Sequence, residues 1–551
     1  MAIEAHLAPV DFDSLPEAYR RADTGVPLSE HTVGSLLADR ARAHPERLAL
    51  AGTPHGGTII ERLSYAELYE RAERVATALL RVTEPGAYVA LWAPNVLEWP
   101  IIEYGAALAG VVLVAVNPAF QVDELEYVLR HSGATVLLHA ESNRGSDMAA
   151  AAIEAAARVP ECSHIISLAD RARWQAEPGA IPIVRGPNAT DPDAPVMLQY
   201  TSGTTGNPKG VLLRHRSLVN VAKMTMSAAE IESGAVCIGP LPMFHTAACV
   251  ISTLGPAYIG GTLLLVETFA PRAVLEWAVA EQASVLFFVP TVLGALLDAL
   301  RGSDLPAPRF RSILGGAATV APVLIDGART VFGGTVHNLF GQTELAPVLT
   351  MIRRQDSPHD QLTTVGRPIP QVECKIARLA DGSVAALGEE GEICARGYQQ
   401  MIEYLGDPVA TAATVDADGW LHTGDLGSMD ARGYITLTGR LKDLIISGGE
   451  NIAPAEVESL LLEHDSVAQV TVVGVPDPKW GEAVSAVVVL RADSPTNPAD
   501  SLRAHVRDRL ATFKQPKRWF VADELPVTAS GKVRKFEVVQ AISAGRFDEI
   551  R

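Results

Sequence analysis

Cysteine is scarce in this chain and badly placed for structural work. Cys162, Cys237, Cys249, Cys374 and Cys394 are an odd number, widely scattered, with no Cys-x-x-Cys pair, so neither a disulfide framework nor a zinc-ligand spacing is written here. Positive charge is also in deficit: 46 Lys and Arg face 64 Asp and Glu, a formal net charge of -18. A nucleic-acid-binding protein carries the opposite balance. The first residues, Met-Ala-Ile-Glu-Ala-His, lack the basic and apolar regions of a secretion signal, and the expectation is a cytoplasmic protein. Long apolar runs are missing too. Thr246 to Val266 has no charged side chain, but Gly255-Pro256 and Gly260-Gly261 interrupt it, so it reads as a buried strand-turn-strand element rather than a bilayer span. Internal repeats and low-complexity tracts are absent.

What is present is enough apolar material, 48% of 551 residues, for more than one core. Ser64-Tyr65-Ala66-Glu67 is a capping box opening an amphipathic helix through Arg81, and Tyr88 to Trp92 follows as a strand. Val111 to Val116, Thr135 to His139, His164 to Leu168 and Ser284 to Val289 repeat the strand signal with helix-length segments between several of them. Strands that are apolar throughout, not alternately, imply sheets covered on both faces, the α/β class. From Asp443 the rhythm changes. A helix near Pro454 to Leu462, strands near Val467 to Val475 and Ala483 to Leu490, a helix near Leu502 to Leu510 and a short final strand predict a small α+β domain. The division expected is residues 1–441 and residues 442–551.

The chemistry starts at Tyr200 to Val211. Thr201, Ser202, Thr204 and Thr205 offer hydroxyls, Gly203, Gly206 and Gly210 allow close backbone approach, and Lys209 adds a cation. Such a loop cradles a polyphosphate. It is not the usual P-loop, since Gly210 follows Lys209 where Ser or Thr would be required. The run resembles the nucleotide loop of the adenylate-forming superfamily, which includes acyl-CoA synthetases, peptide-synthetase adenylation domains and luciferases.

Four further segments carry the same resemblance in family order. Asn338-Leu339-Phe340-Gly341-Gln342-Thr343-Glu344 is similar to the motif that supplies an α-phosphate contact (Thr343) and a Mg²⁺ ligand (Glu344), and Mg²⁺ prefers oxygen donors. Gly316, Ala317 and Ala318, small enough to admit a flat ring, match the adenine loop. Asp425, in Thr423-Gly424-Asp425, and Arg440 match the ribose contacts, and Lys532 the adenylation lysine, a cation suited to a charged transition state.

The resemblance implies a large domain of α/β layered sheets with a distorted β-barrel subdomain, and a small mobile C-terminal domain hinged at Lys442. It also implies an ATP-dependent acid–thiol ligase using ATP, Mg²⁺ and coenzyme A. The carboxylate attacks the ATP α-phosphate to give acyl-AMP, the small domain rotates, and Ser447, Gly448 and Gly449 then line a tunnel for the thiol. Arg503, Arg507, Arg509, Lys514, Lys517 and Arg518 are candidates for CoA phosphates, or a solvated basic face.

For the acyl group, Phe244 and His245 resemble the segment beside the reacting carboxylate. Amino-acid-activating relatives have Asp where His245 stands, so an amino acid is not the expected substrate. Phe244, Ala247, Ala248, Cys249, Val289, Pro290, Ala346 and Pro347 are apolar and mostly small, which suits a sizeable hydrophobic acid. Two departures stand out: Ala248, where relatives often have Gly, and Glu403-Tyr404-Leu405, where they have Gly-Tyr-Trp. CoA or a carrier protein as acceptor, one or both half-reactions in this chain, and monomer or homodimer stay open at the level of sequence.

Overall fold

The computed structural model describes residues 14–177, 186–201, 208–316, 320–447, 450–491, 494, 498–507, 509–527 and 533–550. They form two compact units. The first comprises Arg20–Cys374 and Ala395–Leu421, the second residues 14–19, Lys375–Cys394 and residues 422–550.

Two large sheets make up the first unit. One has seven strands in the order Glu403–Tyr404, Lys209–Arg214, Pro195–Thr201, Val112–Val116, Tyr88–Trp92, Val136–His139, His164–Ser167. From Pro195–Thr201 to His164–Ser167 the pairs are parallel. Val112–Val116 and Val136–His139 are buried at every residue, as expected of strands covered on both faces. The capping box is formed as its residues dictate: Ser64 Oγ accepts from the Glu67 N–H, Glu67 bonds back to the Ser64 N–H at 2.8 Å, and the helix runs Tyr65–Leu79.

The second sheet has nine strands in the order Arg367–Pro368, Thr350–Met351, Thr335–Phe340, Ser312–Gly316, Val285–Phe288, Val236–Gly239, Thr262–Leu265, Leu48–Gly52, Glu61–Ser64. Thr335–Phe340, Ser312–Gly316, Val285–Phe288 and Val236–Gly239 are consecutive and parallel. The loops leaving their C-terminal ends therefore emerge along one edge, where open α/β sheets bind ligands.

The strand-turn-strand reading of Thr246 to Val266 is overturned. Ala247–Ser252 is a π-helical segment continuing into the helix Thr253–Tyr258, and only Thr262–Leu265 is a strand. Gly255 is a packing site, not a turn: a Cβ there would lie 2.1 Å from Met226 Cε on the helix His215–Ala228. Ser252 and Thr253 spend their hydroxyls on the Ala247 and Ala248 carbonyls, at 3.2 and 3.3 Å, an arrangement that widens helical turns. Gly260, at φ +62°, makes the one turn that was anticipated.

A five-stranded sheet has the order Tyr19–Arg20, Val372–Ala377, Gly391–Gly397, Leu421–Met429, Ile435–Arg440. The second unit also contains a six-stranded sheet built on the long hairpin Val467–Asp477 and Gly481–Leu490. Pro454–Leu462 is the anticipated helix, and Ala499–Arg507 the next. The helix Lys535–Ser543 was not anticipated. Its segment is short and weakly amphipathic, and Val538 and Ile542 find their apolar partners only in the folded sheet. No helix among the described residues is long and apolar enough to cross a membrane.

Candidate active site

Ser202, Gly203, Thr204, Thr205 and Gly206 lie outside the described residues, as do Ala317, Ala318, Gly448, Gly449 and Lys532. Both ends of the phosphate loop are described. Thr201 and Lys209 are directly opposite each other in an antiparallel register, so the two strands flanking the loop form a hairpin. The helix Val122–Ser132 braces it on both sides: His131 Nδ1 lies 2.9 Å from Tyr200 Oη, and Tyr127 Oη donates to the Pro208 carbonyl at 2.9 Å. The Tyr127 and His131 rings stack at 5.4 Å. Nothing in the loop motif announces this brace, because its residues come from a helix about 70 positions upstream.

Thr343 and Glu344 sit in a 3-10 turn, Thr343–Leu345, immediately beyond the strand Thr335–Phe340. Gly341 is required there. A Cβ would lie 2.1 Å from the Pro347 carbonyl oxygen. Glu344 is buried, and Tyr404 Oη donates to its Oε1 at 2.7 Å. Burial, and then the Glu344 carboxylate beside it, hold the Tyr404 phenol well above its ordinary value, so it stays a donor. The Lys209 ammonium lies over the Tyr404 ring, 4.7 Å from its centroid. One tyrosine thus links the loop lysine to the carboxylate. In the sequence, Glu403-Tyr404-Leu405 was a departure from the family's Gly-Tyr-Trp; in the fold, Glu403–Tyr404 is an edge strand pairing with Leu212 and Val211.

The acyl-pocket candidates divide by exposure. Phe244, His245, Ala247 and Pro290 are partly exposed, whereas Ala248, Cys249 and Ala346 are buried. Phe244 and His245 leave the edge of the nine-stranded sheet with their ring centroids 4.1 Å apart. Apolar surroundings depress the His245 imidazole to about 4, so it is neutral at physiological pH. Behind it Cys249 Sγ donates to the His245 carbonyl at 3.3 Å and accepts from Gln199 Nε2 at 3.3 Å. Gly316 occupies the end of its strand because a Cβ would meet the Leu339 carbonyl at 2.1 Å and Asn338 Oδ1 at 3.1 Å. The adenine-loop and Thr-Glu motifs are therefore neighbours, with Asn338, Phe340 and Gly341 on the adjoining strand end.

In the second unit Asp425 and Arg440 face each other across the hairpin, with Arg440 Nε 2.6 Å from Asp425 Oδ1. Glu392 shapes the turn before Asp425: Oε2 lies 2.7 Å from His422 Nδ1 and Oε1 accepts from the Gly424 N–H at 2.9 Å. Lys442 lies in the 3-10 turn Leu441–Asp443. Ser447 is buried on the strand Ile445–Ser447. Of the six basic residues weighed for CoA phosphates, four are paired with carboxylates: Arg503 with Asp500, Arg509 with Glu463, Lys514 with Glu456 and Arg518 with Glu549. Lys517 lies over the Trp480 ring.

Residues 37–405 match the family of AMP-binding enzymes, and residues 456–532 its C-terminal domain. The chain belongs to the AMP-binding enzyme family. It is 35% identical to the (methyl-dioxo-octahydro-indenyl)propanoyl:CoA ligase of Rhodococcus jostii (strain RHA1), covering 92% of this chain and 97% of that one. It is 32% identical to the mitochondrial medium-chain acyl-CoA ligase ACSF2 of Rattus norvegicus, covering 95% and 89%. The structure of o-succinylbenzoate CoA synthetase from Bacillus subtilis, in complex with its acyl-adenylate intermediate, superposes with a TM-score of 0.79 at 31% identity, covering 91% and 97%. This AMP-binding enzyme is an acid–thiol ligase, an ATP-dependent acyl-CoA synthetase that takes a small-molecule carboxylic acid and CoA.

Proposed function

We propose that the acid is a medium-chain or bulky alicyclic carboxylic acid and that both half-reactions are carried out by this chain. The observation that carries the acid's class is the Phe244–His245 ring pair at the sheet edge, with Ala247 and Pro290 among the partly exposed pocket candidates. This wall has no fixed charge to pair with a substrate ammonium, and its lining is small and apolar. The relatives act on a bicyclic propanoate and on medium-chain acids, which agrees with that lining.

In this reading the substrate carboxylate attacks the ATP α-phosphorus, the α–β bridging bond breaks, and pyrophosphate leaves. Thr201, Lys209 and the loop between them hold the phosphates, and Thr343 contacts the α-phosphate. Asp425 and Arg440 hold the ribose. Glu344 is the residue to hold Mg²⁺. The fit is chemical: an oxygen donor, buried, with Tyr404 engaging only one of its two oxygens. When bound, the ion would neutralise phosphate charge. Lys532 is proposed to stabilise charge in this first step only. The small domain then turns about Lys442, the Ser447 strand replaces Lys532 at the cleft, and the CoA thiol attacks the acyl carbonyl, expelling AMP.

The test is product analysis by mass spectrometry with ATP, Mg²⁺ and fatty, aryl and alicyclic acids, each with and without CoA. Acyl-CoA from medium-chain or alicyclic acids is the expected result. Acyl-AMP that never passes to CoA would overturn the acceptor, and turnover confined to amino acids would overturn the substrate class. Lys532→Ala should abolish acyl-AMP formation while supplied acyl-AMP is still converted to thioester.

A further inference from the structure

The helix Glu98–Ala109 is buried at every residue, yet carries two glutamates. Glu98 is accounted for, since its Oε2 accepts the His55 N–H at 2.9 Å. Glu103 is not. It is 2% exposed, and neither carboxyl oxygen has a hydrogen-bond partner among the described residues. One turn earlier, on the same helix face, the fully buried Trp99 indole N–H is also unpartnered. A buried carboxyl left unsatisfied costs heavily, so such a group calls for an occupant. Burial alone raises the Glu103 carboxyl well above its ordinary value. It is thus an uncharged group with an O–H to donate and a C=O to accept.

Its position points to the occupant. The neighbouring Tyr104 Oη reaches the Thr253 carbonyl at 3.4 Å, which seats this helix against the segment that continues from His245. Glu103 lies near enough to Cys249 to act on its thiol, and Cys249 is bonded to both the His245 carbonyl and Gln199. The carboxyl therefore stands near Cys249, one of the residues assigned to the acyl pocket.

We propose that Glu103 is a specificity-determining residue whose carboxyl group hydrogen-bonds an oxo or hydroxyl substituent on the distal part of the acyl group, with Trp99 as the second donor. The substrate class is then an oxygenated hydrophobic acid rather than a plain hydrocarbon acid. This inference rests on the acyl-CoA synthetase reading and on the pocket assigned above. A site that hydrogen-bonds a substituent rejects the analogue lacking it, because the buried polar group is then left unpaired.

The test uses decalin-propanoic and cyclohexyl-propanoic acids with and without a ring ketone or hydroxyl, with acid-dependent pyrophosphate release as the readout. Wild type should favour the oxygenated member of a pair by about tenfold or more in kcat/KM. Glu103→Leu should erase that preference while still turning over the plain acid, and Glu103→Gln, which keeps a donor and an acceptor, should retain it. Equal kcat/KM within every pair for wild type, or an equal fall for both members in Glu103→Leu, would overturn the proposal. Should Glu103→Leu not fold, isotope-edited infrared difference spectra of wild type decide. The carboxyl C=O band of Glu103 should move on binding a non-hydrolysable oxo-acyl-adenylate analogue and stay fixed with the plain analogue. No movement with either would count against it. Pyrophosphate release without discrimination defeats this inference alone, whereas no release with any acid defeats the underlying reading with it.

Discussion

Tyr404 shows how much one side chain can organise. It donates to a buried carboxylate at 2.7 Å while its ring supports an ammonium, and hydrogen bonds to charged groups are the stronger kind, contributing about 1.5–3 kcal/mol. Tyr404→Phe keeps the ring and removes the hydroxyl, so Lys209 keeps its support and Glu344 loses its restraint. The expected result is a fall in adenylation of roughly tenfold or more and a higher Mg²⁺ concentration for half-maximal rate; a Mg²⁺ titration identical to wild type would detach Tyr404 from the ion. Gly341→Ala is a steric case. With backbone carbonyl 2.1 Å from the new Cβ, the turn carrying Thr343 and Glu344 has to move, at a cost of about 2–4 kcal/mol. Thermal melting with and without ATP would show the loss, and an unchanged melting temperature would mean the turn yields cheaply.

At the level of elements, motif residues are positioned by partners that carry no motif. The hairpin bearing Thr201 and Lys209 is clamped by Tyr127 and His131, and the turn bearing Asp425 by Glu392. Glu392→Gln should retain one acceptor for the Gly424 N–H but lose the carboxylate that faces His422 Nδ1. Weaker nucleotide binding, by about three- to tenfold, with an unaltered acid preference is the expected outcome. Calorimetric titration with ATP checks it, and equal affinity in the two proteins would confine Glu392 to a packing role.

For the whole molecule, burial of titratable groups sets the pH range of stability. His215, His245 and His337 are each depressed to about 4 from 6.5, in every case chiefly by burial. His215 accepts the Val33 N–H at Nδ1, 3.1 Å away, which only the neutral ring can do. The unfolded chain takes up these protons as pH falls through 6.5 and the folded chain does not, so stability is lost between about 6.5 and 4. Glu103 works in the opposite direction, since its raised carboxyl favours the fold at low pH and loses that contribution as pH rises above 4.5. The depressed histidines outnumber Glu103, and stability is expected to fall from pH 6 to pH 5, each histidine contributing at most about 1.4 kcal/mol per pH unit. Urea unfolding at those two values measures it. His215→Gln should reduce the slope by about 1.4 kcal/mol per pH unit.

The roles proposed for Thr201, Lys209, Glu344, Asp425 and Arg440 were read from the sequence because they depend on residue type at short spacing, which a linear chain displays directly. The continuous apolar strands and the Ser64 capping box were legible for the same reason: each is a local pattern of period or offset. Thr246 to Val266 was misread because Gly255 serves close packing against Met226, and a glycine used for contact looks the same in a sequence as one used for a turn. Tyr404 on Glu344, His131 on Tyr200 and the unpartnered Glu103 became visible only in the folded chain. Each is a meeting, or a failure to meet, of residues about 60 or more positions apart or on different elements. Residue type decided what each group can do, and tertiary structure decided what it does it to, since hydrogen bonding and burial are properties of a neighbourhood and not of a side chain.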